Sequence, residues 1–456
     1  MNSITRRQAL SALALTGAST LLPRNSSAAE APTASRAPVL SGPDRTQASD
    51  QLLAYFAKAA PQLLRPAKGF LAHPNISPSL PGKQYSTTLW DWDTLWTVQG
   101  LFHVARLTKD PTLRDQVALH AQGSLRIFFA QQAPTGRIPM LVTVSKADPL
   151  DALAPAPSPN SRNQAKPVFA QLALLIADEV GDAAWFAPLF DQLLKFHASW
   201  TANNLSQTGL LVWGNDVAIG NDNDPATFGR PFFSSANLLL NTLYYQDLQA
   251  AAKLAARLGR TADAAQLTTQ ATALGAALLK HCWDPRDRFF YTVDVQCVDK
   301  RRELINYPPG MDMSWSSVPI KFQSFTGFLP LWSGLAIKTQ AAELVQANYV
   351  ADQRFRADWG VRSLSSLEPM YCMNFSSNPS NWLGPVWIIV NYLTWRGLKN
   401  YGFDTEARDL ADKTLKLLAQ DLATNGSLNE YYHPDTGAAI SHKGFLDWNL
   451  LAVEMI

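Results

Sequence analysis

From Asp50 onward, apolar residues recur at i, i+3, i+4 and i+7 in one segment after another, the spacing of a helix that buries one face. The segments are Gln51–Leu64, Trp96–Leu107, Leu113–Gln131, Val168–Val180, Trp185–Ala202, Ser234–Leu258, Ala262–His281, Ala336–Ala347, Trp387–Tyr401 and Thr405–Leu422. Breakers such as Lys109-Asp110-Pro111, Gly259 and Gly402 separate them, so neighbouring helices pair as antiparallel hairpins. About a dozen helices in one uninterrupted stretch can form a bundle, a solenoid or two concentric rings. A solenoid carries a sequence repeat, and none is visible. The expectation is therefore an all-α fold that closes into a toroid. Strand-like stretches are short. The clearest is Phe289-Phe290-Tyr291-Thr292-Val293, a hairpin after the turn-like Asp284-Pro285-Arg286-Asp287.

No Pro/Gly-rich linker divides the chain after residue 50, so 49–456 reads as one domain despite its length, with Pro149–Ala165 as an irregular insertion. The first 29 residues read differently. Arg6-Arg7 precede a mild apolar run to Leu22, and Ser26–Ala29 suits a signal peptidase. Twin arginines before a weakly hydrophobic run resemble a Tat signal. The run is short for a membrane span, so stable insertion is not expected. Residues 30–48, rich in Pro, Ala, Ser and Thr, read as a disordered leader. The expected location is periplasmic or secreted, with the Tat machinery as a transient partner.

A net charge of +2 without a long basic run argues against nucleic acid or an anionic membrane as partner. Three cysteines are no disulfide framework; Cys282 and Cys297 flank the hairpin and pairing between them stays open beside three free thiols. The seven histidines show no metal-ligand spacing, so neither metal nor cofactor is expected.

Chemistry concentrates in four segments that mix Trp, Gly, Asp and Asn where plain connectors use Lys, Glu and Ser. Leu89-Trp90-Asp91-Trp92-Asp93-Thr94-Leu95-Trp96 alternates Asp with Trp at a helix start. Capping accounts for an Asp there, but not for the Trp density. Indole faces stack on sugar rings and carboxylates accept from sugar hydroxyls. Trp213–Pro225 holds Asp216, Asp222 and Asp224 within nine residues, close enough for like charges to raise a pKa. A turn cluster or a loose calcium loop is the alternative. Asn381-Trp382-Leu383-Gly384-Pro385-Val386-Trp387 leads into a long apolar helix. Leu428-Asn429-Glu430-Tyr431-Tyr432 precedes the turn Pro434-Asp435-Thr436-Gly437, with the two tyrosines placed to orient Glu430.

In this order, the segments resemble the inverting glycosidases that include trehalase, processing α-glucosidase and mannosylglycerate hydrolase. Trp92-Asp93-Thr94 looks like the core of the first trehalase signature. Gly136-Arg137-Ile138-Pro139 with Arg162-Asn163-Gln164-Ala165-Lys166-Pro167 is similar to a further paired motif, and Thr326–Trp332 to another family segment. Gly220-Asn221-Asp222-Asn223-Asp224-Pro225 resembles the stretch carrying the general acid, Asn381–Trp387 the stretch lining the sugar site, and Glu430-Tyr431-Tyr432 the element carrying the general base. The resemblance covers the chain from about Tyr85 to the end. It implies an (α/α)6 toroid and an exported enzyme that cleaves an α-linked glucoside or mannoside, in an oligosaccharide or small glycoside, with inversion. Asp222 would be the acid and Glu430 the base, with Trp92, Asp93, Arg162, Gln164, Gly220, Asn221, Trp382 and Trp387 shaping the sugar pocket. The chain departs from the family at Met140, at Gln164-Ala165-Lys166-Pro167 and in lacking an Arg-rich approach to the first signature, which turns the expected substrate away from trehalose. An (α/α) polysaccharide lyase and a non-catalytic sugar-binding protein are the rival readings.

Overall fold

The computed structural model describes residues 40–152, 162–297, 315–374 and 379–456. The twin-arginine segment and most of the leader lie outside the described residues. From Val39 on, the chain forms one compact unit.

Among the described residues, eleven helical segments and one short turn of helix make six hairpins. α1 (Gly42–Ala59) leads to α2 (Asp91–Leu107), α3 (Pro111–Ala130) to α4 (Phe169–Val180), and α5 (Phe190–Asn204) to α6 (Leu238–Arg257). α7 (Thr261–Cys282) leads to the helical turn Leu329–Trp332. α8 (Lys338–Leu344), prolonged by a π turn to Val350, leads to α9 (Ile388–Asn400), and α10 (Asp404–Asn425) leads to the 3-10 helix Trp448–Met455. The second member of each hairpin belongs to an inner ring. There α2 packs on α4, α4 on α6, α6 on Leu329–Trp332, that turn on α9, α9 on Trp448–Met455, and Trp448–Met455 back on α2. The ring closes, and the fold is an (α/α)6 toroid.

The two rings differ in residue character for a physical reason. An inner helix meets neighbours on all sides, so its whole circumference is buried. Trp92, Trp96, Val98, Leu101, Phe102 and Val104 of α2 are all buried, as are Ile388 to Thr394 of α9. Outer helices bury a stripe: in α7 only Leu267, Ala271, Leu274, Gly275, Leu278 and Cys282 are buried, at helical spacing. Where inner helices cross closely, glycine removes the obstruction. A Cβ on Gly100 of α2 would lie 2.4 Å from Leu450 Cβ.

The helix ends follow local chemistry. Asp110 caps α3 by accepting from Leu113 N–H at 2.9 Å, with Pro111 in the first turn. Asn237 caps α6 through Leu240 N–H. Gly181 and Gly426 end α4 and α10 in the left-handed conformation.

Four expectations change. Part of the leader is ordered: α1 begins at Gly42 because Ser41 caps it and Pro43 suits its first turn. Arg45 then reaches the Asp412 carboxylate and the Met455 carbonyl, tying α1 to α10 and to the inner ring. Trp185–Ala202 divides at Pro188 into a 3-10 turn and α5. α6 starts later than expected because Ser235–Ala236 pairs instead with Val293–Asp294, which pairs in turn with Val318–Pro319. The hairpin forms as Trp283–Asp284 against Phe289–Phe290. Cys282, Cys297 and Cys372 are free thiols, and burial pushes Cys282 up to about 12. The Pro149–Ala165 insertion is described only at its ends. No described helix is long and apolar enough to cross a membrane.

Candidate active site

The residues just before five of the inner helices meet at one end of the toroid and enclose a cavity of about 420 Å³. Tyr85, Trp90, Trp92 and Asp93 come from the start of α2 and Lys166 from the approach to α4. Asp216, Gly220, Asp222 and Phe228 come from the long approach to α6. Ser380, Trp382 and Trp387 stand before α9, Glu430 before the last helix, and Trp448 is the first residue of that helix. Helix N-termini carry partial positive charge and unpaired N–H groups, so acidic side chains and sugar oxygens both suit this end of the ring.

Tryptophan forms one wall. Trp382 and Trp387 stack at 4.0 Å between centroids with planes 7° apart, and Tyr431 stacks on Trp387 at 4.4 Å. Trp92 leans on Trp382, and Trp448 meets Trp92, Trp382 and Trp387 edge-on. The Trp387 indole N–H donates to Asn381 O, which fixes the ring.

Asp222 lies in a loop held from both sides. Its neighbour Asn223 donates to Asn381 Oδ1 at 3.0 Å and accepts from Trp382 N–H at 2.7 Å, joining this loop to the tryptophan loop. On the other side Asn163 donates to Asn215 O and Val217 O and accepts from Gly214 N–H. Gly220 adopts φ +103°, and a Cβ there would meet Lys166 Cε at 2.8 Å and Trp92 at 3.3 Å. Asp224 is fully buried and works for the loop itself, accepting from Ala226 N–H and Asn237 Nδ2; burial raises it to about 6. Asp216 accepts from Gly229 N–H at 2.8 Å. These two carboxylates brace the loop, and among the described residues no group of three His, Cys, Asp or Glu side chains could hold a metal ion.

Glu430 is almost completely buried (4% exposed) on a hairpin whose turn is Pro434–Gly437. Burial raises its pKa, the Asp222 charge adds to that, and His442 opposes both. The His442 imidazole contacts Glu430 Oε2, and the pairing raises the histidine in turn. The expectation that tyrosines orient Glu430 is corrected. Tyr432 points into the core and donates to Asp421 Oδ2 at 2.9 Å, while Tyr431 stacks on Trp387 and donates to Pro379 O in the loop before Trp382. The histidine twelve residues on takes that role.

Beneath the cavity lies a layer of buried charge. Lys166 Nζ is 3.1 Å from Asp91 Oδ1, with both side chains inaccessible, and its N–H donates to Asp91 Oδ2 at 2.6 Å. Asp93 and Asp447 are neighbouring carboxyls that act on each other's ionisation, and burial raises both. Tyr85 is raised by burial and by the charges of Glu430, Asp93 and Asp222.

Of the residues singled out from the sequence, Trp92, Asp93, Gly220, Asp222, Trp382, Trp387 and Glu430 line the one cavity. Arg162, Gln164 and Asn221 do not. Arg162 borders a small adjacent hole with Arg137 and Met140, Gln164 is buried and accepts from Ser199 Oγ at 2.8 Å, and Asn221 bonds the buried Asp224. Gln164 and Asn221 are buried behind the cavity wall, and Arg162 is half-buried beside it. The sequence reading missed Tyr85, Lys166, His442, Asp447 and Trp448. Only Trp448 carried a visible signal, as another Trp beside an Asp.

Residues 88–446 match the family model described as the mannosylglycerate hydrolase MGH1-like glycoside hydrolase domain. The mannosylglycerate hydrolase of Thermus thermophilus is 32% identical over 142 residues, 30% of this chain and 31% of that protein. Mannosylglycerate hydrolase MGH1 of Selaginella moellendorffii is 32% identical over 114 residues, 24% of this chain and 20% of that protein. The chain thus aligns with less than a third of either relative's length. A crystal structure of GH63 mannosylglycerate hydrolase from Thermus thermophilus with Tris and D-glycerate superposes over 88% of this chain and 99% of that one, with a TM-score of 0.64 at 20% identity. Neutral trehalase Nth1 from Saccharomyces cerevisiae gives 0.56 at 17% identity, over 84% and 74%. At these identities the superpositions speak for the toroid. With the family model spanning most of the toroid and both carboxylate loops, the chain belongs to the mannosylglycerate hydrolase MGH1-like glycoside hydrolases.

Proposed function

We propose that the protein hydrolyses an α-linked glucoside or mannoside with inversion, Asp222 acting as general acid and Glu430 as general base. The observation that carries this reading is the meeting of Asp222 and Glu430, distant in sequence, on a single Trp-walled cavity. Glycoside hydrolysis needs one carboxyl to protonate the leaving oxygen and, for inversion, a second to activate water on the opposite face of the ring, roughly 6.5–9.5 Å away. The two carboxyls hang on different hairpins, which suits such a separation. His442 supports Glu430 as base: a cationic imidazole favours the carboxylate against the cost of burial. The tryptophan wall supports sugar binding, since flat rings offer apolar area to sugar C–H faces.

The substrate to test first is mannosylglycerate, the substrate in the names of the relatives, followed by other α-mannosides and α-glucosides. The twin arginines and the apolar run after them support export by the Tat route to the periplasm or beyond.

Proton NMR of the purified enzyme with this panel tests the reading. Early β-anomer release, lost in Asp222→Asn and Glu430→Gln, is the expected result. Early α-anomer release would remove inversion. An ultraviolet-absorbing unsaturated product would instead reveal a lyase, and tight sugar binding without turnover a binding protein.

A further inference from the structure

The cavity floor holds a feature that two-carboxylate chemistry does not use. Asp93 stands in the first turn of α2 and lines the cavity, and directly behind it Asp447 is completely buried. Thr97, one helical turn beyond Asp93 on α2, holds Asp447 beside the Asp93 carboxyl, and each carboxyl acts on the other's ionisation. Asp447 Oδ1 accepts from Thr97 Oγ1 at 2.8 Å, and its backbone N–H donates to Pro78 O. Its Oδ2 receives no N–H or hydroxyl from any described residue. An ionised, buried carboxylate oxygen with no donor is costly, and two carboxylates in contact in a dry site cannot both ionise. The pair therefore favours holding one proton.

We propose that Asp447 is a carboxylic acid that stays protonated at neutral pH and positions Asp93, through its O–H, as the ionised acceptor for a sugar hydroxyl. The surroundings decide which oxygen keeps the proton. Asp93 stands in the first turn of α2, whose N-terminus favours negative charge, and the Lys166 ammonium, itself paired with Asp91, offsets part of the Asp91 repulsion there. Asp447 has the Asp93 and Glu430 charges nearby, and both disfavour a negative charge on it. The charged and titratable groups that face the pair are Asp91, Lys166, Glu430 and, from the cavity side, Tyr85. Asp447 touches no substrate and acts only through Asp93. The sugar-hydroxyl part rests on the proposed hydrolase reading; the location of the proton does not.

The test joins infrared spectroscopy with kinetics. At about pH 8, where ordinary carboxyls with pKa near 4 are ionised, wild-type enzyme minus Asp447→Asn should show the C=O stretch of one protonated carboxyl. Identical spectra would overturn the proposal. In turnover assays Asp447→Asn, which keeps an N–H donor in the same shape, should stay within about tenfold of wild type in kcat/KM, while Asp447→Ala, which lets Asp93 drift, falls about a hundredfold or more. Equal damage in both would also overturn it. Should the alanine variant fail to fold, the Asn variant and the infrared band still decide. If wild type cleaved no glycoside, the hydrolase reading would fail while the band would still report on the proton.

Discussion

His442 Nδ1 meets Glu430 Oε2 across the hairpin that follows the glutamate, and it does so from a left-handed backbone conformation, φ +46°. Histidine and asparagine are among the few side chains that tolerate this region. His442→Asn therefore keeps the turn and shortens the side chain out of reach. Glu430 then loses the partner that lowers its pKa, while burial and Asp222 still raise it. Under the proposed role of Glu430 as general base it works ionised, so activity disappears as pH falls through its pKa. The acidic limb of the kcat/KM profile is expected to move up by roughly one pH unit. A pH–rate series on the two proteins measures it; an unmoved limb would mean that His442 does not act on the base.

Asn223 joins the acid loop to the tryptophan loop through two hydrogen bonds. Asn223→Ala removes both, on a partly exposed loop, without opening the core. We expect kcat to fall by about tenfold to a hundredfold through misplacement of Asp222, with Tm nearly unchanged. Stopped assays beside thermal melts separate the two effects.

Gly220→Ala places a methyl group against Lys166 and Trp92 at a positive φ. The strain costs about 1–3 kcal/mol, and the displaced Trp92 weakens sugar binding. Calorimetric titration of a sugar into the Asp222→Asn background, with and without the second substitution, is expected to show the loss.

Gly100→Ala tests ring closure. Its Cβ would overlap Leu450 on the last inner helix, and overpacking of this kind costs about 1–3 kcal/mol. Urea denaturation reads the cost as a lower midpoint with an unchanged slope.

Asp447 gives stability a pH dependence whose sign follows from its raised pKa in the fold. The folded chain holds a proton that the unfolded chain releases near pH 4, so this group's contribution is complete below about pH 4 and declines as pH rises. Asp447→Asn lacks the decline. The Tm of the variant minus that of wild type should grow between about pH 5 and about pH 8. A constant difference would place Asp447 in the ordinary carboxylate range.

The outer helices were legible in the sequence because a one-sided helix writes its period into the chain. Leu329–Trp332 and Trp448–Met455 were not, since an inner segment of one or two turns, apolar on every side, has no period to read. The Asp222 loop stood out through its Trp, Gly and clustered Asp, and the Glu430 loop through its paired tyrosines and the turn after them. His442 and Asp447 stood out through nothing local: each is an ordinary residue until the fold sets it against a carboxylate from elsewhere. Arg162, Gln164 and Asn221 belong to motifs visible in the sequence, but their distance from the cavity wall is set by the fold and could not be read there.

The ring closes where α2 meets Trp448–Met455, and Arg45 clasps that junction from outside. During synthesis the acid loop leaves the ribosome long before Glu430, Asp447 and Trp448 do. Until that final arc docks, Asp93 has no proton donor behind it and the tryptophan wall lacks its edge. On the proposed mechanism a partly closed ring lacks half of the site, so activity and ring closure are expected to arise together.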